Sequence, residues 1–212
     1  MTPSVRQNPV YLFVKRVFDI LFSILILLLS SPLFAVFMVL IWKEDGGDPI
    51  FRQERIGKSG KKIRIYKFRS MKVNADRLEE MLSPEQYAQY QREFKLENDP
   101  RVTRIGDFLR KSSLDELPQL VNIIKGELSM VGPRPVVEDE LRQYNDEERS
   151  RFLSVKPGLT GYWQAYARNN ASYETGERQK MELYYVEHAG IWFDIRILFR
   201  TVYAVIKRQG VK

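Results

Sequence analysis

Apolar and polar positions divide this chain into one long apolar segment and a charged remainder. Residues 20–42 are apolar apart from three serines, about 23 residues in all, which is long enough for a helix to span a bilayer. Pro32 interrupts the run directly behind Ser30 and Ser31. A bend is therefore expected there, and a serine hydroxyl is expected to serve the carbonyl that the proline leaves without a donor.

Basic residues lie on both sides of this apolar segment. Lys15 and Arg16 precede it, and a stretch rich in lysine and arginine follows it. Because basic flanks favour the cytoplasmic side of a membrane, both ends are expected on the same face. The pattern favours a re-entrant helix bent at Ser31-Pro32 over a straight span, and Asp19 must then lie at the interface or find a partner.

The rest of the chain shows shorter patterns. Residues 50–56 and 61–68 predict a β-hairpin around a turn at 57–60, and GKS in that turn is not a phosphate loop because Arg52 stands where the motif needs glycine. Helices are predicted to begin at Ser83-Pro84-Glu85 and to cover 144–152. A last helix over 191–206 is amphipathic and suits either a membrane interface or a core; its apolar face would hold Trp192, Ile195, Leu198, Phe199, Val202 and Ile206.

These elements predict an α+β, mostly helical fold. An N-terminal segment, 1–45, would carry the re-entrant membrane helix, and 46–212 would form a small mixed α/β domain with a β-hairpin and interfacial amphipathic helices. The formal net charge of +7 favours an anionic partner. With no cysteine and one histidine, any metal should be a hard cation held by carboxylates and phosphates.

The stretch SSLDELPQL, residues 112–120, allows two interpretations. In the first, Ser113 and Glu116 form a capping box for a helix whose core face is Leu117, Leu120, Val121 and Ile124 and which Gly126 ends. In the second, Asp115 is the N-cap, because Pro118 then falls in the first turn, where no hydrogen bond is lost. The second interpretation leaves Asp115 beside an electropositive helix end.

The neighbourhood of this stretch favours chemistry at the two carboxylates. Arg110 precedes the pair, and VGPRP at 131–135 follows the helix. A rigid Pro-Arg-Pro corner would hold the Arg134 guanidinium at a fixed place, where it could clamp a phosphate. Carboxylates, arginines and a magnesium ion are the parts that phosphoryl transfer uses, and aspartate is a known covalent phosphoryl acceptor.

Long ordered motifs make the chain resemble the bacterial sugar transferases, also called monotopic phosphoglycosyl transferases or polyprenyl-phosphate hexose-1-phosphate transferases. The motifs run nearly end to end and comprise KRVFD at 15–19, Ser31-Pro32, RIGKSGKKIRIYKFRSM at 55–71, DPRVTRIGDFLRKSSLDELPQLVNIIKGELSMVGPRP at 99–135, KPGLTGYWQ at 156–164 and YYVEHAGIWFDIRIL at 184–198. Their length and order make the resemblance specific, and the chain is similar to the minimal catalytic form of that family.

The resemblance implies a site and a mechanism. Asp115 would be the nucleophile that attacks the β-phosphate of a UDP-sugar, expels UMP and holds the sugar phosphate covalently. Glu116 would complete the dyad, assisting with Mg²⁺ or with deprotonation of the lipid phosphate. The phosphate-contacting positions carried over are Arg110, Pro133, Arg134, Pro135 and Arg168, and the membrane positions are Lys15, Arg16, Ser31 and Pro32.

The implied partners are a UDP-sugar, undecaprenyl phosphate and an anionic phospholipid bilayer, with no nucleic acid, and a homodimer is left open. The implied location is the bacterial inner membrane, in one leaflet, with the active site on the cytoplasmic face. The product would be the first lipid-linked intermediate of a surface glycan such as an exopolysaccharide, a capsule or an O-antigen. Two alternatives stay open: direct transfer in a ternary complex, and a non-enzymatic membrane-anchored binding protein.

Two departures from the family pattern concern the C-terminal part. Many members have Gly-Arg-Asn where this chain has Ala-Arg-Asn at 167–169, and aspartate where Glu182 stands. These departures bear on the choice of sugar more than on the Asp-Glu dyad.

Overall fold

The computed structural model describes residues 8–93, 96, 99–167, 171, 173 and 175–207. Within that part of the chain, helices and four short strands form a mostly helical α+β fold, as predicted. The elements are α1 (Pro9–Asp45), β1 (Ile50–Ile56), β2 (Lys62–Phe68), α2 (Leu78–Met81), α3 (Pro84–Glu93), α4 (Arg104–Ser112), α5 (Gln119–Lys125), β3 (Ser129–Val131), α6 (Glu138–Leu141), α7 (Asp146–Phe152), β4 (Gly158–Thr160), α8 (Tyr162–Tyr166), α9 (Glu177–His188) and α10 (Ile191–Ile206).

The strands form two separate pairs. β1 and β2 make the predicted antiparallel hairpin, in which Ile50 is opposite Phe68 and the second strand begins at Lys62. β3 and β4 are parallel, with Val131 opposite Thr160. The VGPRP stretch continues from the carboxyl end of β3, so this strand pair decides where the Pro-Arg-Pro corner lies.

A central core joins elements that are far apart in the sequence. It is built of buried residues from β2, α5, β3, α8, α9 and α10: Ile63, Ile65, Leu120, Ile123, Leu128, Met130, Val131, Ala165, Tyr185 and Ile197. Side chains from the middle of α1, Phe22, Ile26 and Leu27, pack against this core. Within the described residues, α1, which ends at Asp45, therefore packs against the domain that follows it.

Polar groups fasten the N-terminal half of α1 to the domain. Lys15 makes a largely buried ion pair with Asp194 of α10 at 2.5 Å. The Arg16 guanidinium donates to two carbonyl oxygens in the last turn of α5, at 2.6 and 2.8 Å. Asp19 is buried and accepts the backbone N–H of Met130 at 3.0 Å, which supplies the partner that its position required. The two basic residues therefore act inside the protein rather than as a free basic flank.

The C-terminal half of α1 is held by the same domain. Phe37 and Ile41 are buried in a second apolar cluster with Phe68 of β2 and Leu109 of α4. The Glu44 carboxylate accepts the first backbone N–H of α4 at 2.8 Å. Both halves of the helix thus contact one folded unit.

Apart from the side chains that pack on the core, the middle of α1 is exposed and apolar. Leu28 and Leu29 are 67% and 75% exposed, and only 11% of the most apolar 18-residue window is buried in the protein. By length and composition α1 could cross a membrane. Pro32 lies inside the helix, and the Ser31 hydroxyl donates at 2.8 Å to the Leu28 carbonyl, four residues before the proline. The predicted role of a serine hydroxyl beside the proline is confirmed.

Helix α10 has the bounds that its periodicity predicts. One side packs on the core, where Ile197 and Asp194 are buried. The opposite side exposes large apolar groups, with Trp192 at 81% and Phe199 at 74%. An exposed aromatic side on an amphipathic helix is typical of a helix at a membrane interface.

We predict that Gly106→Ala destabilises the fold by about 1–3 kcal/mol, the usual range for overpacking. A Cβ at Gly106 would lie 2.1 Å from the Ser70 carbonyl oxygen, so the backbone of α4 would have to move. The measurement is thermal unfolding in detergent or nanodiscs. Gly190→Ala is the control, since its Cβ would meet nothing closer than 3.9 Å; equal loss in both variants would contradict the prediction.

Candidate active site

The two adjacent carboxylates lie in a short turn between α4 and α5. Ser113 closes α4 in a left-handed conformation, with φ of 58°, and Leu114–Glu116 form a 3₁₀ turn. Pro118 precedes α5, which begins at Gln119. The capping box at Ser113 and the N-cap at Asp115 were both wrong, because the left-handed residue ends one helix and the 3₁₀ turn separates it from the next.

The later start of α5 also changes its buried face. Gln119, Leu120, Asn122 and Ile123 are buried, whereas Val121, predicted to lie in the core, is 36% exposed. Gly126 ends the helix with φ of 84°, as predicted. The turn therefore leaves Asp115 and Glu116 half-buried at the surface of the domain instead of inside a helix.

Basic groups flank each carboxylate. Lys67 of β2 pairs with Glu116 at 2.8 Å, and each side chain is about one-fifth exposed. Packing lowers the pKa of the Arg110 guanidinium, and the charge of Asp115 opposes that shift, so these two groups interact. The Arg110 Nε donates to the Ser70 hydroxyl at 2.8 Å, which fixes the orientation of the guanidinium.

The Pro-Arg-Pro corner is held from two directions. Gly158 of β4 donates its N–H to the Pro133 carbonyl at 2.8 Å, and Arg134 donates its N–H to the Glu182 carboxylate of α9 at 3.2 Å. Pro133 and Pro135 are buried. The corner is therefore a rigid piece of backbone from which the half-buried Arg134 side chain projects.

Three guanidiniums gather beside this corner. Burial lowers the pKa of Arg55, and the positive charges of Arg134 and Arg178 add to that effect while Glu140 opposes it. Glu140 pairs with Arg55 at 3.0 Å and with Arg178 at 3.4 Å. The Arg178 guanidinium also lies over the Trp163 ring, 4.2 Å from its centroid. Such a concentration of partly buried positive charge suits an anionic ligand.

A small cleft joins these parts. It is lined by Arg55, Ile65, Lys67, Glu116, Gln119, Arg134, Pro135, Gly158, Leu159 and Gln164. The structure thus brings together three of the residues predicted for the site: Glu116, Arg134 and Pro135. Asp115 precedes Glu116 in the same turn and interacts with Arg110, whereas Arg168 lies outside the described residues.

Sequence reasoning missed several members of the site. Arg55 belongs to the basic stretch after the apolar segment, where every charge was attributed to the membrane flank, and Lys67 was assigned no role. Arg178 and Glu182 stand four residues apart on α9, so they share one helix face. That spacing could have predicted that the two side chains lie together. The sequence does not predict that this helix face contacts the Pro-Arg-Pro corner.

The comparisons with known proteins define the class to which this chain belongs. Residues 10–208 match the model of the family described as bacterial sugar transferase, and the chain belongs to that family.

Three members of known name illustrate the proteins to which this chain is similar. The chain is similar to a UDP-galactose-lipid carrier transferase of Erwinia amylovora, 49% identical over 93% of this chain and 41% of that protein. It is also 46% identical to the exopolysaccharide production protein ExoY of Rhizobium meliloti, over 99% of this chain and 92% of ExoY. The UDP-glucose:undecaprenyl-phosphate glucose-1-phosphate transferase of Escherichia coli is 41% identical over 89% of this chain and 39% of its own length. The chain thus spans about two-fifths of the length of several of these relatives.

We predict that Glu182→Gln removes a pH-dependent contribution to stability. Burial raises the pKa of Glu182 to about 7, while Arg178 and Arg134 oppose the shift, and the ordinary value is 4.5. The folded state therefore binds this proton more tightly than the unfolded state does. The contribution is full below about pH 4.5 and is lost as the pH rises through about 7.

Wild type should accordingly lose stability relative to Glu182→Gln between about pH 5 and pH 8, by up to ~3 kcal/mol. Thermal unfolding of both proteins in the same buffers measures this difference. Parallel pH profiles would contradict the prediction, because the glutamine variant shares every other titrating group.

Proposed function

We propose that this chain transfers a sugar 1-phosphate from a UDP-sugar to undecaprenyl phosphate, giving undecaprenyl-diphospho-sugar and UMP. The observation that carries the proposal is the Asp115-Glu116 turn beside a cleft lined by arginine and lysine. The names of the relatives add support, since they include an undecaprenyl-phosphate galactose phosphotransferase of Salmonella typhimurium, 47% identical to this chain, and the glucose-1-phosphate transferase of Escherichia coli.

The basic residues of the cleft would bind the diphosphate of the donor. Arg134 projects from a fixed corner, Arg55 lines the same cleft, and Lys67 lines it too and pairs with Glu116. Guanidinium groups bind phosphate oxygens through two parallel hydrogen bonds, which fix orientation as well as position. Such binding would align the β-phosphorus with the carboxylate turn.

The first step would join Asp115 to the donor. A carboxylate oxygen of Asp115 attacks the β-phosphorus, the bond from that phosphorus to the bridging oxygen breaks, and UMP leaves with the electron pair. Arg110 faces Asp115 and would offset the charge that spreads over the phosphoryl oxygens. The product is an aspartyl phosphosugar, a mixed anhydride that a second phosphate can displace.

The second step would pass the sugar phosphate to the lipid. An oxygen of undecaprenyl phosphate attacks the same phosphorus, and the Asp115 carboxylate is released. Glu116 lies next in the chain and could assist this step by accepting a proton or by holding a metal ion. Its ion pair with Lys67 keeps the carboxylate at the wall of the cleft.

Mg²⁺ is the metal ion that fits these residues. In the described residues no group of three or more aspartate, glutamate or histidine side chains could hold a metal ion by itself. Two adjacent carboxylates together with substrate phosphates are a common ligand set for Mg²⁺. Asp115 and Glu116 would hold the ion, which when bound would neutralise charge on the diphosphate.

The membrane placement follows from α1. Both halves of the helix contact one domain, while its apolar middle and the aromatic side of α10 are exposed. A straight span would require that domain to sit on both sides of the bilayer. The contacts therefore support a re-entrant α1 in one leaflet of the bacterial inner membrane, with the active site at the cytoplasmic headgroups, where the acceptor phosphate must stay.

We predict that Asp115→Asn abolishes UMP release from UDP-sugars, because an amide cannot act as the nucleophile. A panel that includes UDP-galactose and UDP-glucose, with undecaprenyl phosphate in nanodiscs, would be followed by detection of UMP. Asp139→Asn is the control, since Asp139 is exposed on α6 and pairs with Arg142, which is also exposed. Wild-type release by the Asp115 variant would exclude it as the nucleophile.

We predict that Arg134→Ala raises the KM for the UDP-sugar by about 10- to 100-fold, the range expected when a charge-assisted hydrogen bond is lost. Steady-state kinetics measure this effect. Arg77→Ala is the matched control, because Arg77 is more than half exposed and pairs with Glu80 on a surface helix. An unchanged KM in the Arg134 variant would remove its assigned role.

A further inference from the structure

Glu182 is a buried carboxylate that the proposed reaction does not use. Its residue is only 1% exposed. One carboxylate oxygen, Oε2, accepts the backbone N–H of Arg134 at 3.2 Å. The other, Oε1, is buried without a hydrogen-bond partner in the described part of the chain. Burying a carboxylate with half of its hydrogen-bonding capacity unused costs stability, so its presence beside the cleft needs a reason.

The chemistry of proline makes this one hydrogen bond important. Proline has no backbone N–H, so Pro133 and Pro135 cannot donate. Arg134 therefore carries the single backbone donor of the three-residue corner, and that donor is given to Glu182. Without this bond, the corner would be held only through its carbonyl oxygens. Pro133 accepts from the Gly158 N–H at 2.8 Å, and Pro135 accepts from the Arg55 guanidinium at a long 3.5 Å.

The surroundings indicate that the Glu182 carboxylate does more than neutralise the charge of the nearby arginines. Arg178, one turn earlier on α9, is already paired with Glu140 and stacked on Trp163. Burial also raises the pKa of Glu182 to about 7, so near neutral pH a large part of the population carries no charge at this position. The acceptor oxygen, unlike the charge, is present in both protonation states.

We propose that Glu182 is a positioning residue that fixes the Pro133-Arg134-Pro135 corner through the Arg134 N–H and so aims the Arg134 guanidinium at the phosphates of the donor. The inference rests on the proposed function for the identity of that donor. That Arg134 binds a diphosphate group is inferred from the geometry of the cleft alone.

The test separates hydrogen bonding from charge by using two variants. Glu182→Asp keeps an ionisable carboxyl group but withdraws it by one methylene, out of reach of the Arg134 N–H. Glu182→Gln keeps a side-chain oxygen at full reach and removes the charge. Glu187→Asp is the matched control, because Glu187 lies on the same helix, partly exposed, and pairs with Arg151 away from the corner.

The probe is inorganic pyrophosphate, with its binding to the full chain in nanodiscs measured by calorimetry at pH 7. The proposal predicts that Glu182→Asp binds pyrophosphate about tenfold more weakly, the scale of one hydrogen bond to a charged group. Glu182→Gln should stay within about threefold of wild type, or bind more tightly, since it removes a negative charge from the site. Glu187→Asp should be unchanged.

Three results would overturn the inference: wild-type affinity in Glu182→Asp, an equal loss in Glu182→Gln, or no binding of pyrophosphate by the wild-type chain. A parallel titration of the Asp115→Asn variant with UDP-galactose and UDP-glucose separates this inference from the proposed function. If pyrophosphate binds and depends on Glu182 while neither UDP-sugar binds, the positioning role stands and the assignment of the donor is contradicted.

Discussion

The attachment of both halves of α1 to one domain is the constraint on which the rest of this structure depends. Lys15, Arg16 and Asp19 fasten one half to α10, α5 and β3, and Phe37 and Ile41 bury the other half against β2 and α4. The exposed apolar stretch lies between these attachments, so a membrane that bound it would set the height of the domain above the lipid surface. The proposed reaction depends on this constraint, because it joins a water-soluble donor to a lipid-bound acceptor at the carboxylate turn.

The electrostatics of the site follow from how its charges are buried. Arg55, Arg134 and Arg178 lie close enough to repel one another, and Glu140 compensates part of that charge. Partly desolvated cations interact strongly with an arriving diphosphate, because water screens them less than it would at an open surface. The core contacts of β2, α5 and α9 offset the free-energy cost of bringing these like charges together. The site is therefore organised before any ligand binds.

The parts of the fold that local chemistry decides were predictable from the sequence. The hairpin around Gly57–Gly60, the end of α5 at Gly126 and the bounds of α10 depend on alternation, glycine and helical periodicity, which are visible in a single chain. The sequence motifs also singled out the dyad and the Pro-Arg-Pro corner, and the structure brings Glu116, Arg134 and Pro135 to one cleft. The roles assigned to these residues stay predictions.

The features that the sequence did not predict depend on tertiary packing. The left-handed conformation of Ser113 places the dyad in a 3₁₀ turn, and no local signal distinguishes this from a capped helix. Lys15 was expected to be part of the basic flank of the apolar helix, and its pairing with Asp194, 179 residues away, was not predicted. Glu182 and Arg178 lie beside the Pro-Arg-Pro corner only because α9 packs against it. The residues around them in the sequence do not predict that long-range contact.

The claim that an oxygen of Asp115 bonds transiently to phosphorus can be tested most directly by mass spectrometry. The chain in nanodiscs would be incubated with UDP-galactose or UDP-glucose and Mg²⁺ in the absence of lipid acceptor, quenched and digested. The account predicts a hexose-phosphate adduct on the peptide that carries Asp115, and its disappearance when undecaprenyl phosphate is added. No adduct, under conditions in which the complete system releases UMP and forms product, would contradict the account and indicate direct transfer between donor and lipid.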